Sequence, residues 1–182
     1  MKNQCRSPKK QVWNLSRRNF ITGAAAAAAF TIVPRHVLGG PGRTPPSEKL
    51  NIASIGVGGR GADNLSAIST ENIVALCDVD ARQAEATFKR FPKAKIYRDF
   101  RRMLEGQKDI EAVVVSTPDH IHAAASMMAI KMGKHVYCEK PLTHSIYEAR
   151  KLAEAARRQK VATQMGIQGH AGEGIRLKGV FT

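Results

Sequence analysis

From residue 50 onward the chain alternates short apolar runs, rich in Val and Ile, with longer stretches in which apolar side chains return every three or four positions. This switching between strand-like runs and helical periodicity is the pattern of βαβ units around a parallel sheet. Strands are predicted at residues 50–55, 72–77, 95–97, 112–116, 135–138 and 161–165, with helices filling the gaps. The clearest helices are predicted at 81–90, 121–132 and 145–159. In the last of these, Leu152, Ala155 and Ala156 recur at helical spacing, while Arg150, Lys151, Arg157, Arg158 and Lys160 crowd the C-terminal half, where cations suit the helix dipole. The expected class is α/β, a doubly wound parallel sheet between two layers of helix, three layers in all.

The first forty residues follow a different pattern. A basic stretch leads into Ser16-Arg17-Arg18-Asn19-Phe20-Ile21, then into the apolar run 21–33, then to Pro34 and small residues around Gly39 and Gly40. That is the layout of a secretory signal, and the paired arginines before Phe20 and Ile21 resemble the twin-arginine motif that addresses folded proteins for export. An apolar run of 13 residues would reach only ~20 Å as a helix, short of the ~30 Å hydrocarbon core, so no stable membrane anchor is expected. The expected organisation is a twin-arginine signal peptide over 1–40, a Gly/Pro-rich linker over 41–48 and one domain over 49–169. The twin-arginine translocase is the expected partner during export, and the destination is periplasmic or otherwise extracytoplasmic.

Length and charge narrow the picture further. The 182 residues allow one domain with a sizeable core. The formal charge of +14 invites a nucleic-acid reading, but its distribution argues against one. Eight of the 29 basic residues lie within 1–46, where there is no acid, leaving 21 against 15 acids in the rest. The remainder carries no helix-long basic stripe and suits an anionic cofactor better than a phosphate-tracking groove. Cys77 and Cys138 fall at the ends of predicted strands that are not neighbours in the order 3-2-1-4-5-6, so they are expected to be buried free thiols. Cys5 would leave with the signal.

After the first strand comes Gly56-Val57-Gly58-Gly59-Arg60-Gly61, which is G-x-G-x-x-G, and Asp78 closes the second strand 22 positions after Gly56. Strand, glycine loop, helix and acid in this order are the fingerprint of a Rossmann-type dinucleotide site. Gly56 permits the tight turn, Gly58 lets backbone approach a pyrophosphate, and Gly61 lets the helix sit close to the strand. Gly59 and Arg60 complete the loop, and the helix N-terminus turns unpaired N–H groups toward the phosphates. Asp78 would accept hydrogen bonds from the adenosine ribose and repel a 2′-phosphate, favouring NAD over NADP. Asp80 is an alternative ribose partner, and Arg60 or Arg82 would tolerate a 2′-phosphate, so NADP stays open as a second cofactor. A methyltransferase also pairs a glycine loop with an acid after strand two, and the motifs that follow decide against it.

Those motifs are Ser116-Thr117-Pro118-Asp119-His120-Ile121-His122 after strand four and Glu139-Lys140-Pro141 after strand five. With the glycine loop and Cys77-Asp78-Val79-Asp80, they make the chain resemble the Gfo/Idh/MocA oxidoreductases from about Leu50 to Gly169. Each motif stands at a strand C-terminus, where open α/β sheets bind ligands. The resemblance implies that Thr117, Pro118 and His122 line the dinucleotide near its nicotinamide half, and that Glu139 helps to bind it. Gln168 and Gln164 are weaker candidates for cofactor contacts. Oxidation of an alcohol needs a proton acceptor and a positive group beside the developing oxyanion, and the resemblance assigns that catalytic work to Lys140. His120 and His122 lie two apart on a helix with no third ligand in view, so no metal is expected.

The resemblance also implies a sugar-like substrate oxidised at a CH–OH group, and homo-oligomers among full-length relatives. Relatives continue for roughly another domain length into a substrate-holding α+β region, whereas this chain stops at Thr182. Residues 170–182 look like the start of that second domain, and the expectation is a fragment, with negligible turnover because nothing orients a substrate against the nicotinamide. An NAD-dependent glycoside hydrolase and a non-catalytic dinucleotide-binding module are the two alternative readings, and Lys140 leans toward the dehydrogenase.

Overall fold

The computed structural model describes Pro45 and residues 48–171. The twin-arginine segment, most of the linker and residues 172–182 lie outside the described residues. The described chain runs β1 (Asn51–Ile55), α1 (Arg60–Ala67), β2 (Asn72–Cys77), α2 (Ala81–Arg90), β3 (Lys95–Tyr97) and α3 (Phe100–Gly106). It continues as β4 (Ala112–Val115), α4 (Asp119–Lys131), β5 (His135–Glu139), α5 (Ile146–Gln159), β6 (Thr163–Gly166) and α6 (Gln168–Ala171). The six strands form one sheet in the order β3-β2-β1-β4-β5-β6, and every pairing is parallel. This is the doubly wound Rossmann arrangement that the alternation of patterns predicts.

Element identity agrees with the sequence from β1 through β6, with differences at the ends, and the short α6 is an element the sequence reading did not name. Strand β5 runs on through Glu139, and β6 begins at Thr163 rather than at 161. Helix α4 begins at Asp119 because Pro118 holds φ −59°, a geometry already suited to a helix entrance. Ser145 is the cap of α5 rather than its first residue. Its hydroxyl accepts from the Glu148 amide while the Glu148 carboxylate accepts from the Ser145 amide, a closed capping box. Asp80 and Asp99 cap α2 and α3 in the simpler way, by accepting one or two amides of the first turn.

Two apolar clusters lie on opposite faces of the sheet. Ala53, Ile55, Ala75, Cys77, Val113, Val115 and Cys138 pack with Met103, Leu104, Ala125, Ala129, Ile130 and Leu152 of α3, α4 and α5. Val57, Leu65, Leu76, Ala84 and Ala94 form the smaller cluster under α1 and α2. Because β1 and β4 are covered on both sides, they read as continuous apolar runs rather than alternating ones. Cys77 and Cys138 are buried free thiols, as expected, on strands separated by β1 and β4. Among the described residues no helix is long and apolar enough to cross a membrane.

Candidate cofactor site

The strand order reverses between β1 and β4, so their C-terminal turns diverge and leave a crevice, the place where open α/β sheets bind ligands. A cleft of about 420 Å³ opens there, lined among others by Gly56, Gly58, Asp78, Arg98, Thr117 and Pro118. Gly56 has φ +77°, and a Cβ on it would come within 2.6 Å of the Ser116 carbonyl oxygen, so the turns after β1 and β4 touch through bare backbone. A Cβ on Gly61 would run into the carbonyl oxygen of Gly56, which is why α1 can start so close to the strand it follows.

Asp78 does more than close β2. One carboxylate oxygen accepts from the amides of Val57 at 2.8 Å and Gly58 at 3.2 Å, and the other accepts from the Asp80 amide at 2.9 Å. The predicted ribose acceptor is thus also the brace that shapes the glycine loop. A carboxylate has about four acceptor positions, so three occupied ones leave one for a hydroxyl. Asp80, the alternative ribose partner, is spent as the α2 cap, accepting from the amides of Arg82 and Gln83.

The amides of Gly59 and Arg60 have no protein acceptor among the described residues, and Gly59 caps α1 without a side chain. These are the donors a diphosphate would take at a helix N-terminus. The Thr117 hydroxyl is likewise buried without a partner at the wall of the same cleft. An unpaired buried polar atom is costly, so the orphan Thr117 hydroxyl in the wall of the crevice, with the exposed Gly59 and Arg60 amides at the start of α1, fits a polar ligand such as a dinucleotide.

At the far end of the site, Glu139 closes β5 with only 6% of its surface exposed. It accepts from the side-chain amide of Asn64 at 2.9 Å and from that of Gln168 at 2.8 and 2.9 Å, and Arg60 Nε stands 3.6 Å away. Burial alone would raise the Glu139 pKa, but the bonds from Gln168 and Asn64 and the Arg60 charge outweigh it and hold the carboxyl below its ordinary value. Tyr137 beside it is pushed the other way, by burial first and by the Glu139 charge second. Lys140 is exposed immediately after this buried acid.

The structure therefore brings Gly56, Gly58, Asp78, Thr117 and Pro118 to one cleft, with Gly61 packed against Gly56 behind it and Gly59 outside its lining. It places Arg60, Glu139 and Gln168 together in a second cluster, at the end of β5. Three residues stand elsewhere than expected, His122, Gln164 and the side chain of Arg60. His122 is 1% exposed and does not line the cleft; its ring lies between the carbonyl oxygens of Thr117 and Pro141, while exposed His120 lines the cleft instead. Gln164 donates to the Met165 carbonyl and lies outside the lining of the cleft. Arg60 stands by β5, three strands from Asp78 at the end of β2, and the side chain of Arg82 is 96% exposed beside Asp80. The cation in the cleft next to Asp78 is Arg98, which no motif marked. Asn64 was also missed. It donates to both Ser116 and Glu139, and only its place one turn after Gly61 could have signalled it.

Residues 50–167 match the family model described as oxidoreductase family, NAD-binding Rossmann fold (GFO_IDH_MocA). The chain is 35% identical over 113 residues to an inositol 2-dehydrogenase of Rubrobacter xylanophilus, covering 60% of this chain and 32% of that protein. It is 34% identical over 117 residues to a D-glucoside 3-dehydrogenase of Escherichia coli, covering 62% of this chain and 33% of that protein. Among solved structures, an NAD binding oxidoreductase from Klebsiella pneumoniae superposes with a TM-score of 0.61 at 32% identity, over 68% of this chain and 36% of that one. The chain thus spans about a third of the length of these relatives.

Proposed function

The chain belongs to the Gfo/Idh/MocA oxidoreductase family and carries its NAD-binding Rossmann domain, and we propose that it binds NAD across the β1–β4 crevice as the cofactor half of an exported dehydrogenase of sugar-like alcohols. The observation that carries this reading is the braced glycine loop: Asp78 holds the Val57 and Gly58 amides while the Gly59 and Arg60 amides stay free. Asp78 would accept a ribose hydroxyl at its remaining acceptor position, and the Gly59 and Arg60 amides at the N-terminus of α1 would donate to a diphosphate. A 2′-phosphate beside the Asp78 carboxylate is repelled, which favours NAD over NADP. Thr117 offers its unpartnered hydroxyl to the part of the cofactor that crosses toward β4.

NAD supplies the hydride acceptor when bound. Lys140, exposed directly after Glu139, would accept the proton of the substrate hydroxyl in its neutral form, and the ammonium so formed would steady the oxygen. The sugar-like substrate is inferred from relatives that act on inositol and on a D-glucoside, with this chain as the part that presents the nicotinamide. Residues 170–182 are read as the passage toward a substrate-binding region such as the longer relatives have room for. Ser16-Arg17-Arg18-Asn19-Phe20-Ile21 is read as a twin-arginine address, which suits a protein that loads its cofactor before export.

Isothermal calorimetry with NAD and NADP tests the cofactor reading. One NAD per chain, bound more tightly than NADP, is the expected result; no heat with either coenzyme would refute it.

A further inference from the structure

Arg60 stands where two acceptors compete for it. As the first residue of α1 it adjoins the free Gly59 and Arg60 amides, so its side chain starts beside the place where the diphosphate lies. Yet its guanidinium is turned to the end of β5, with Nε 3.6 Å from a Glu139 oxygen and a terminal nitrogen 3.6 Å from Asp63. The contact joins the glycine loop of the first half of the sheet to the last residue of β5 in the second half.

Three features make this pair exchangeable. At 3.6 Å it is longer than the ~2.7–2.9 Å of a direct charge-assisted hydrogen bond, so it is held by charge and not by a locked fork. Glu139 keeps its bonds from Asn64 and Gln168 when Arg60 leaves, so its carboxylate is not stranded. The Arg60 side chain is 49% exposed against 7% for Glu139, so the arginine can swing without disturbing the core. A diphosphate offers two charges and several oxygens where Glu139 offers one charge already shared with two amides.

We propose that Arg60 is a phosphate ligand held in reserve by Glu139, and that cofactor entry exchanges the Arg60–Glu139 pair for an Arg60–diphosphate contact. The inference rests on the reading of the crevice as an NAD site and adds to it a means of discrimination. A mononucleotide such as ADP must break the pair and offers nothing to β5 in return. A dinucleotide extends over both halves of the sheet and reaches the acid that the exchange sets free. The pair therefore handicaps ADP relative to NAD.

Calorimetry on the full chain with ADP and with NAD tests this in the wild type, Glu139→Gln, Arg60→Gln and the double variant. Glu139→Gln is expected to bind ADP about three- to tenfold more tightly, because an exposed arginine is freed from a modest ion pair. Arg60→Gln is expected to bind ADP more weakly than wild type, and the double variant no more tightly than Arg60→Gln. A merely structural role for Glu139 predicts the opposite sign, a loss of ADP affinity. Wild type that binds NAD, with ADP affinity equal or lower in Glu139→Gln, overturns the exchange and leaves the cofactor reading standing. Wild type that binds neither ligand overturns both. Should Glu139→Gln lose the wild-type circular dichroism spectrum, Glu139→Asp, whose carboxylate is drawn back by one methylene, carries the same expectation and the same refutation.

Discussion

Nδ1 of His122 lies 2.6 Å from the carbonyl oxygen of Pro141, fastening the first turn of α4 to the turn that follows β5. Its other nitrogen lies 2.8 Å from the Thr117 carbonyl, so one buried ring ties together the two turns that carry the second half of the site. A neutral ring donates to one of these carbonyls and a doubly protonated ring to both. His122→Ala removes both contacts and leaves a hole in the packing. A loss of about 2–4 kcal/mol in stability is expected. Urea unfolding measures it, and an unchanged midpoint would show that the clasp holds nothing.

Asp78 braces the glycine loop and lines the cleft proposed to take the adenosine, so its removal is expected to act twice. Asp78→Ala is expected to weaken NAD binding by at least about tenfold and to narrow the preference for NAD over NADP, since the repelling carboxylate is gone. Calorimetry with both coenzymes reads the two effects separately. Equal losses for NAD and NADP would mean that Asp78 acts on the loop alone.

Gly61 meets the Gly56 carbonyl so closely that no side chain fits without moving α1 off the strand. Gly61→Ala is expected to cost about 2 kcal/mol or more and to abolish measurable NAD binding. Gly59 has nothing within 4 Å of where a Cβ would stand, so its replacement meets no such wall, although its φ of +49° still favours glycine. Thermal unfolding of both variants separates crowding from backbone strain.

Burial pushes the Cys77 thiol up to about 12 and the Cys138 thiol up to about 11, with nearby acids adding to the shift. The folded state therefore keeps protons that the unfolded chain releases near pH 9, the ordinary thiol value. The contribution is fully present below pH 9 and is lost as pH rises through about 11 to 12, at up to roughly 1.4 kcal/mol per pH unit for each thiol. Urea midpoints between pH 8 and 11 should fall, and Cys77→Ala should flatten the fall. At neutral pH both thiols should ignore a disulfide reagent until the protein is unfolded. Rapid labelling of the native protein at these two positions would contradict the burial.

If residues 1–40 act as a twin-arginine address, replacing Arg17 and Arg18 together by lysine should retain a reporter fusion in the cytoplasm while the unaltered fusion is exported. Fractionation of cells with and without the translocase checks this. Export that survives the double substitution would remove the twin-arginine reading and leave the cofactor site untouched.

Much of the framework was readable along the chain. Short apolar runs, a period of 3.6 between them, the glycine triplet after β1 and an acid at the end of β2 are local features, and backbone sterics translate them directly into strand, turn and helix. That is why the six strands, their parallel order and the position of Asp78 could be named from residue order alone. Asn64 and Glu139 are 75 positions apart and meet only because the sheet places β5 two strands from β1 while α1 packs across the gap. The same packing turns Arg60 toward β5 and leaves Arg98 as the cation that lines the cleft with Asp78. It also puts His122 beneath the turns instead of beside a ligand, because a helix starting at Asp119 directs its fourth residue into the core. Composition and periodicity determined which elements form; the partners of each polar side chain were decided by strand order and helix rotation, which exist only once distant segments are packed together.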